Sequence, residues 1–144
     1  MISAPFDYQA PTTIEEAIAL LAKSRDAKVL AGGHSLLPLM KLGLAQPTTL
    51  VDIGRIAALR GIKVDGEIAI GALATHQAVA DHPRVRERLA ALAEAAAAVG
   101  DLQVRGRGTI GGSLAHADPA ADEPAAVLAF YATLRAVGPK GERL

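Results

Sequence analysis

Apolar positions recur along the chain with two different periods, and the change of period divides it. Ile14, Ala17, Ile18 and Leu21 fall at i, i+3, i+4 and i+7, which predicts an amphipathic helix with one buried stripe. Thr13 and Glu16 have capping-box spacing: the hydroxyl takes the amide of the third helical residue while the carboxylate reaches back to the Thr13 N–H. Lys28-Val29-Leu30 reads as a short strand, and the apolar run from Leu36 to Leu42, with Pro38 near its start, as a short helix. Thr49-Leu50-Val51-Asp52-Ile53, after Pro47, reads as a second buried strand. Residues 1–54 are therefore expected to form a small α/β unit with strands on either side of a glycine loop.

Beyond residue 54 the pattern changes. Ile62, Val64, Ile68 and Ile70 alternate around Asp65-Gly66, which predicts a hairpin with a two-residue turn. Thr75 is placed to cap a short helix ending near Asp81. Pro83 opens a longer predicted helix carrying Val85, Leu89, Leu92, Ala96 and Val99 before Gly100. Residues 105–113 read as a second glycine loop, and residues 119–130 as helical in part. Residues 134–137 read as a strand entering a turn at Gly138-Pro139-Lys140-Gly141, with the return strand barely begun at Leu144. Residues 55–144 are thus expected to be a second α+β lobe, truncated at its end.

Composition narrows the chemistry. Hydrophobic residues are 51% of the chain but aromatics only 3%, so the core must be built from Ala, Val, Leu and Ile. With 21% charged residues and such a core, a folded chain is expected rather than a disordered one. Fifteen Lys and Arg balance fifteen Asp and Glu, which removes the basic footprint that nucleic-acid partners need. The absence of Cys excludes disulfides, thiolate metal sites and Cys nucleophiles within these residues. Apolar runs such as residues 125–134 fall well short of the roughly 20 residues that span a bilayer. Met1-Ile2-Ser3-Ala4 carries no basic segment leading into an apolar stretch, so no secretory signal is read and a cytoplasmic location is expected.

Two segments carry candidate chemistry. Gly32-Gly33-His34-Ser35 lies between a predicted strand and a predicted helix, and Thr109-Ile110-Gly111-Gly112-Ser113 repeats the form of two glycines followed by a small hydroxyl residue. Glycine lets a backbone approach a ligand closely and present consecutive N–H groups, for which phosphate is the natural partner. The bland alternative is a tight turn without a ligand, but two such segments suit a pyrophosphate held from two sides.

Other patterns fit less well. Gly106 to Gly111 spells the dinucleotide fingerprint, but a helix rather than a strand precedes it, and Asp118, Asp122 and Glu123 follow too soon to serve as the ribose acid. Gly111-Gly112-Ser113-Leu114-Ala115 resembles a nucleophile elbow, yet His116 is the last His and precedes Asp118, the wrong order for that hydrolase fold. His116, Asp118 and Asp122 offer metal-ligand types, but Asp118 before Pro119 reads more simply as a cap. His76 and His82 read as solvent-facing helix residues, and Arg105 and Arg107 as surface charges or phosphate neighbours.

At the two glycine segments the chain resembles the flavin subunits of molybdenum hydroxylases, of the aerobic carbon monoxide dehydrogenase medium-subunit type, with the xanthine dehydrogenase flavin domain a more distant relative. The resemblance is carried by residues 31–41, residues 100–105 and residues 108–122, and it covers essentially the whole chain but about half of a typical family subunit. It implies an α+β FAD-binding fold of the vanillyl-alcohol oxidase/p-cresol methylhydroxylase type, with a small βαβ lobe, a larger α+β lobe and FAD between them. It further implies that Ala31, Gly32, Gly33, His34, Ser35 and Leu36 wrap the FAD pyrophosphate and that Thr109, Gly111, Gly112 and Ser113 close on it. Gly100 matches a position of close backbone approach to the flavin nucleotide, and Asp122 an acid near the adenosine half. No residue takes the part of a catalytic acid or base, and no metal ligand is implied.

The resemblance also implies partners: a large molybdopterin subunit and a small iron–sulfur subunit, whose electrons pass via FAD to an acceptor. Peripheral association with a membrane through that complex is compatible with it. The competing readings are a stand-alone flavin oxidoreductase of the same fold and a non-enzymatic nucleotide-binding module.

Overall fold

The computed structural model describes residues 4–144, so Met1, Ile2 and Ser3, where a leader was sought, lie outside it. The chain separates into two units, one running to Ala58 and taking in Thr133–Leu144, the other formed by Leu59–Ala132.

The first unit is built on three parallel strands, β1 (Asp7–Gln9), β2 (Ala27–Leu30) and β3 (Thr49–Asp52), in the spatial order β1-β3-β2. β3 is the central strand, and its Leu50 and Val51 are 1% and 0% exposed, which is why this segment reads as a continuous apolar run. Helix α1 (Ile14–Lys23) connects β1 to β2, and α2 (Leu36–Lys41) lies between β2 and β3. The expected stripe on α1 is present, with Ala17 buried and Ile14, Ile18 and Leu21 half-buried. β1 was not expected, because three residues carry too little pattern; it exists by pairing Asp7, Tyr8 and Gln9 with Thr49, Leu50 and Val51. The Tyr8 hydroxyl also donates to Asp52 Oδ2 at 2.5 Å, and that carboxylate holds the phenol above its ordinary pKa. A short antiparallel hairpin, β6 (Ala136–Gly138) with β7 (Gly141–Arg143), belongs to this unit and carries an Arg135–Glu142 ion pair at 2.6 Å.

The α1 cap differs from the expected box by one residue. Thr13 Oγ1 accepts from Glu16 N at 3.2 Å, but Glu16 Oε2 accepts from Thr12 N at 2.9 Å rather than from Thr13. The Thr12 amide, with smaller help from the Thr12 hydroxyl and the Thr13 amide, holds the Glu16 carboxyl below its ordinary pKa against the opposing effect of desolvation. A carboxylate with a depressed folded pKa contributes stability that is present above its unfolded pKa and lost as pH falls through the folded value. Protection of the amides in the first turn of α1, taken relative to their intrinsic exchange rates at each pH, is therefore expected to fall across that acid window, and Glu16→Gln to remove most of this pH dependence; an unchanged pH profile of protection in Glu16→Gln would refute the cap.

The second unit opens with the predicted hairpin, β4 (Ile62–Asp65) against β5 (Glu67–Ile70), pairing Ile62 with Ile70 and Val64 with Ile68. Asp65 itself pairs with Glu67, so Gly66 alone turns the chain, at φ +70°. Residues 71–74 continue beyond it, Gly71 and Leu73 donating to the Gly61 and Leu59 carbonyls. Helix α3 (His76–Asp81) is capped by Thr75 as expected, its hydroxyl accepting from Ala78 N. The long helix expected after Pro83 is two, α4 (Pro83–Arg88) and α5 (Ala90–Ala98), because Leu89 leaves helical geometry at φ −132° and ψ 49°. Val79, Val85, Leu92, Ala93, Ala96 and Val127 form the apolar core, in keeping with the small aliphatic composition.

The expected glycine loop at 105–113 is also absent. Helix α6 (Leu102–Arg107) is capped by Asp101, which accepts from Val104 N, and α7 (Ile110–His116) is capped by Thr109. Two capping residues, each three positions before the amide it binds, win over the poor helix propensity of Gly106, Gly111 and Gly112. Helix α8 (Glu123–Ala129) follows. Asp118 closes a turn by accepting from Ala120 N, four residues short of the N-cap it was expected to be, and that N-cap is Asp122. Among the described residues no helix is long and apolar enough to cross a membrane.

Candidate functional site

The segment from Ala31 to Leu36 leaves the carboxyl end of β2, the edge where open parallel sheets bind ligands. Gly33 turns the chain at φ +81°, a conformation that L side chains rarely adopt. A Cβ there would stand 2.9 Å from Leu37 Cδ1 and 3.2 Å from its Cγ, so the turn is also sterically closed. The Gly33 carbonyl accepts from Leu37 N and the Ser35 carbonyl from Leu39 N, whereas the amides of Gly33, His34, Ser35 and Leu36 donate to no backbone carbonyl outside the regular elements among the described residues. Ser35 does not cap α2 with its side chain, and His34 and Ser35 are exposed. A run of consecutive amides without internal partners is an anion-binding concavity.

Thr109, Gly111, Gly112 and Ser113 are arranged differently. Ile110 N donates to the Ala74 carbonyl and Gly111 N to the Ala72 carbonyl, both at 3.0 Å, and Gly112 N donates to Thr109 Oγ1 at 3.2 Å. The first turn of α7 has therefore spent its amides inside the unit. Gly111 is required for that docking, since a Cβ would lie 2.6 Å from both the Cβ and the carbonyl oxygen of Ala72. Thr109 is buried and bridges Thr75, while Ser113 is half-buried.

Gly100 ends α5 at φ +47°, the left-handed position that follows many helices, and a Cβ would press on Val104 at 3.1 Å. Arg105, expected at the surface, is half-buried: Nη1 donates to the Val99 and Gly100 carbonyls and Nε to Gln77 Oε1. It closes the end of α5, leaving Arg107 exposed on α6. Asp122 is exposed, and its carboxylate makes no capping bond to α8. His116 Nε2 stands 4.0 Å from Asp118 Oδ2 at the surface, and no group of three or more His, Cys, Asp and Glu side chains among the described residues is placed to hold a metal.

His76, expected to face solvent, is buried: its Nδ1 lies 2.8 Å from Oε1 of Glu123, and the residues are 5% and 0% exposed. In the sequence Glu123 figures only among the acids that follow Gly111 too soon to serve as a ribose acid, and nothing there pairs it with His76. Forty-seven residues separate the two, and Glu123, which directly follows Asp122 and precedes Pro124, carries no local sign that it points inward.

Residues 4–144 match the family described as the FAD binding domain in molybdopterin dehydrogenase, and the chain belongs to that family. It is 50% identical to the carbon monoxide dehydrogenase medium chain of Hydrogenophaga pseudoflava, over 99% of this chain and 50% of that one. It is 46% identical to the 6-hydroxypseudooxynicotine dehydrogenase complex subunit alpha of Paenarthrobacter nicotinovorans, over 96% of this chain and 47% of that one. The solved structure of a Hydrogenophaga pseudoflava carbon monoxide dehydrogenase lacking the Mo-pyranopterin moiety superposes with a TM-score of 0.96 at 51% identity, covering 99% of this chain and 50% of that one. The chain thus spans about half the length of the curated relatives it matches. The α+β expectation for the fold is met, and FAD is the cofactor of the family. The turn at Gly33, with the unpartnered amides that follow it, fits the pyrophosphate of that cofactor.

Proposed function

We propose that this chain is the FAD-binding part of an electron-transfer subunit in a molybdenum hydroxylase of the carbon monoxide dehydrogenase type. Identity of 50% to a medium chain, sustained over 99% of these residues, carries the reading. When bound, FAD supplies the redox chemistry, taking up electrons and giving them to an acceptor.

The chain's own residues bind and orient. In the first unit, Ala31, Gly32 and the amides of Gly33, His34, Ser35 and Leu36 hold the pyrophosphate, at positions where Gly33 forbids a side chain. In the second unit, Thr109, Gly111 and Gly112 fix the start of α7 and so present the Ser113 hydroxyl. Gly100 fixes the end of α5. The Asp122 carboxylate, left free by α8, accepts a hydrogen bond from the adenosine half. No side chain is assigned as an acid, base or nucleophile. The two FAD-binding lobes expected at residues 1–54 and 55–144 correspond in this reading to the unit running to Ala58 together with Thr133–Leu144 and to the unit Leu59–Ala132.

The partners in this reading are a large molybdopterin subunit and a small iron–sulfur subunit, in a cytoplasmic complex. Purification of the complex from its own host tests it. Stoichiometric FAD is expected, reduced by the substrate of the large subunit only while the iron–sulfur subunit is present. A chain that keeps its flavin and reduces it with a substrate in the absence of both partners would be a stand-alone flavoenzyme, and would overturn the proposal.

A further inference from the structure

The buried pair of His76 and Glu123 is absorbed by none of the roles above. His76 begins α3, its N–H donates to the Gly108 carbonyl at 3.1 Å, and its ring lies against Gly108, where a Cβ would stand 2.7 Å from both Cδ2 and Nε2. Thr75, one residue earlier, bridges Thr109. Glu123 begins α8 and directly follows Asp122. The pair therefore ties the residue beside Asp122 to the turn that starts α7.

Stability alone is a weak reason for such a pair. Glu123 is fully buried, and while one carboxylate oxygen meets His76, the other, Oε2, is buried with no hydrogen-bond partner among the described residues. Two apolar side chains of similar volume would fill this interior without desolvating a carboxyl group. What an apolar pair lacks is direction, since a 2.8 Å hydrogen bond fixes the placement of α8 relative to α3 where van der Waals packing allows sliding.

We propose that His76 and Glu123 are a positioning pair, which holds the Asp122 carboxylate and the Gly108–Thr109 turn in the arrangement that binds FAD. This rests on the FAD assignment made above. Neither residue touches the cofactor in this scheme, and the effect of the pair on affinity runs through Asp122.

The test is a double-mutant cycle on FAD affinity in the full-length subunit, read by flavin fluorescence and paired with amide exchange in the flavin-free protein. Asp122→Ala is expected to weaken FAD by about tenfold, and Glu123→Gln, which keeps an acceptor toward His76, by less than Glu123→Ala. Adding Glu123→Ala to Asp122→Ala should weaken FAD no further, and exchange at His76 N and Ile110 N should rise in Glu123→Ala without flavin. Should Glu123→Ala fail to fold, His76→Ala, which removes Nδ1, carries the same cycle and should weaken FAD to a similar extent, while His76→Asn, whose amide nitrogen replaces Nδ1, should retain most of the affinity. Fully additive losses, or a folded Glu123→Ala with unchanged affinity, would overturn the positioning role. A wild-type subunit that does not bind FAD would instead overturn the assignment on which it rests.

Discussion

Gly33→Val is expected to lower FAD affinity by two orders of magnitude or more while leaving the first unit folded. The backbone at Gly33 sits at φ +81°, where a β-branched residue is strained, and its Cβ would meet Leu37 Cδ1 at 2.9 Å. Holding such a conformation costs roughly 1–3 kcal/mol, so the loop relaxes instead of keeping it. Relaxation turns the amides of residues 33–36 away from one another. Each hydrogen bond to a charged group contributes about 1.5–3 kcal/mol, so losing two removes two or more decades of affinity. The sheet does not depend on this turn, because β3 is paired on both sides, with β1 and β2, and its Leu50 and Val51 are buried. Gly43→Val is the control: Gly43 is equally left-handed, at φ +74°, but has nothing within 4 Å and follows the other end of α2. It should cost some stability and leave FAD bound. Equal losses of flavin in the two variants would show that strain, not the site, is being read.

Gly111→Ala has the largest expected effect on stability, about 2 kcal/mol against the second unit. Two terms oppose each other. Alanine improves helix propensity by about 1 kcal/mol. Against that, the new methyl group would lie 2.6–2.8 Å from the Cβ, carbonyl oxygen and Cα of Ala72, atoms that are mostly backbone and cannot rotate away. Overpacking of this kind costs about 1–3 kcal/mol, and pushing α7 outward also strains the bonds from Ile110 N and Gly111 N to Ala74 and Ala72. Packing wins. Gly106→Ala should have the opposite sign, because Gly106 lies in α6 with nothing within 4 Å and gains roughly 0.5–1 kcal/mol. Urea unfolding of both variants decides the matter; a destabilised Gly106→Ala, or a Gly111→Ala as stable as the parent, would contradict the packing account.

What the sequence revealed was local. The stripe on α1, the Thr13 and Thr75 caps, the β4–β5 hairpin and the turn at Gly33 each depend on residues within a few positions of one another, and each was legible. β1 and the His76–Glu123 pair depend on residues more than forty positions away, and three strand residues or one buried His carry no local sign of such a partner. The break at Leu89 has neither Pro nor Gly to mark it. The segment at 105–113 departs from its expectation for a different reason. Its glycines suggested a loop, while the capping signals of Asp101 and Thr109 were present but outweighed. The two glycine pairs look alike in sequence and do different work: Gly33 opens a run of unpartnered amides, and Gly111 admits a helix end against Ala72, where the amides are consumed.

That difference is the centre of the account, and amide exchange with and without FAD addresses it directly. The account predicts that FAD slows exchange strongly at Gly33, His34, Ser35 and Leu36, and changes it little at Ile110 and Gly111, whose donors already have partners. Protection of Ile110 and Gly111 by FAD, with none at residues 33–36, would contradict it.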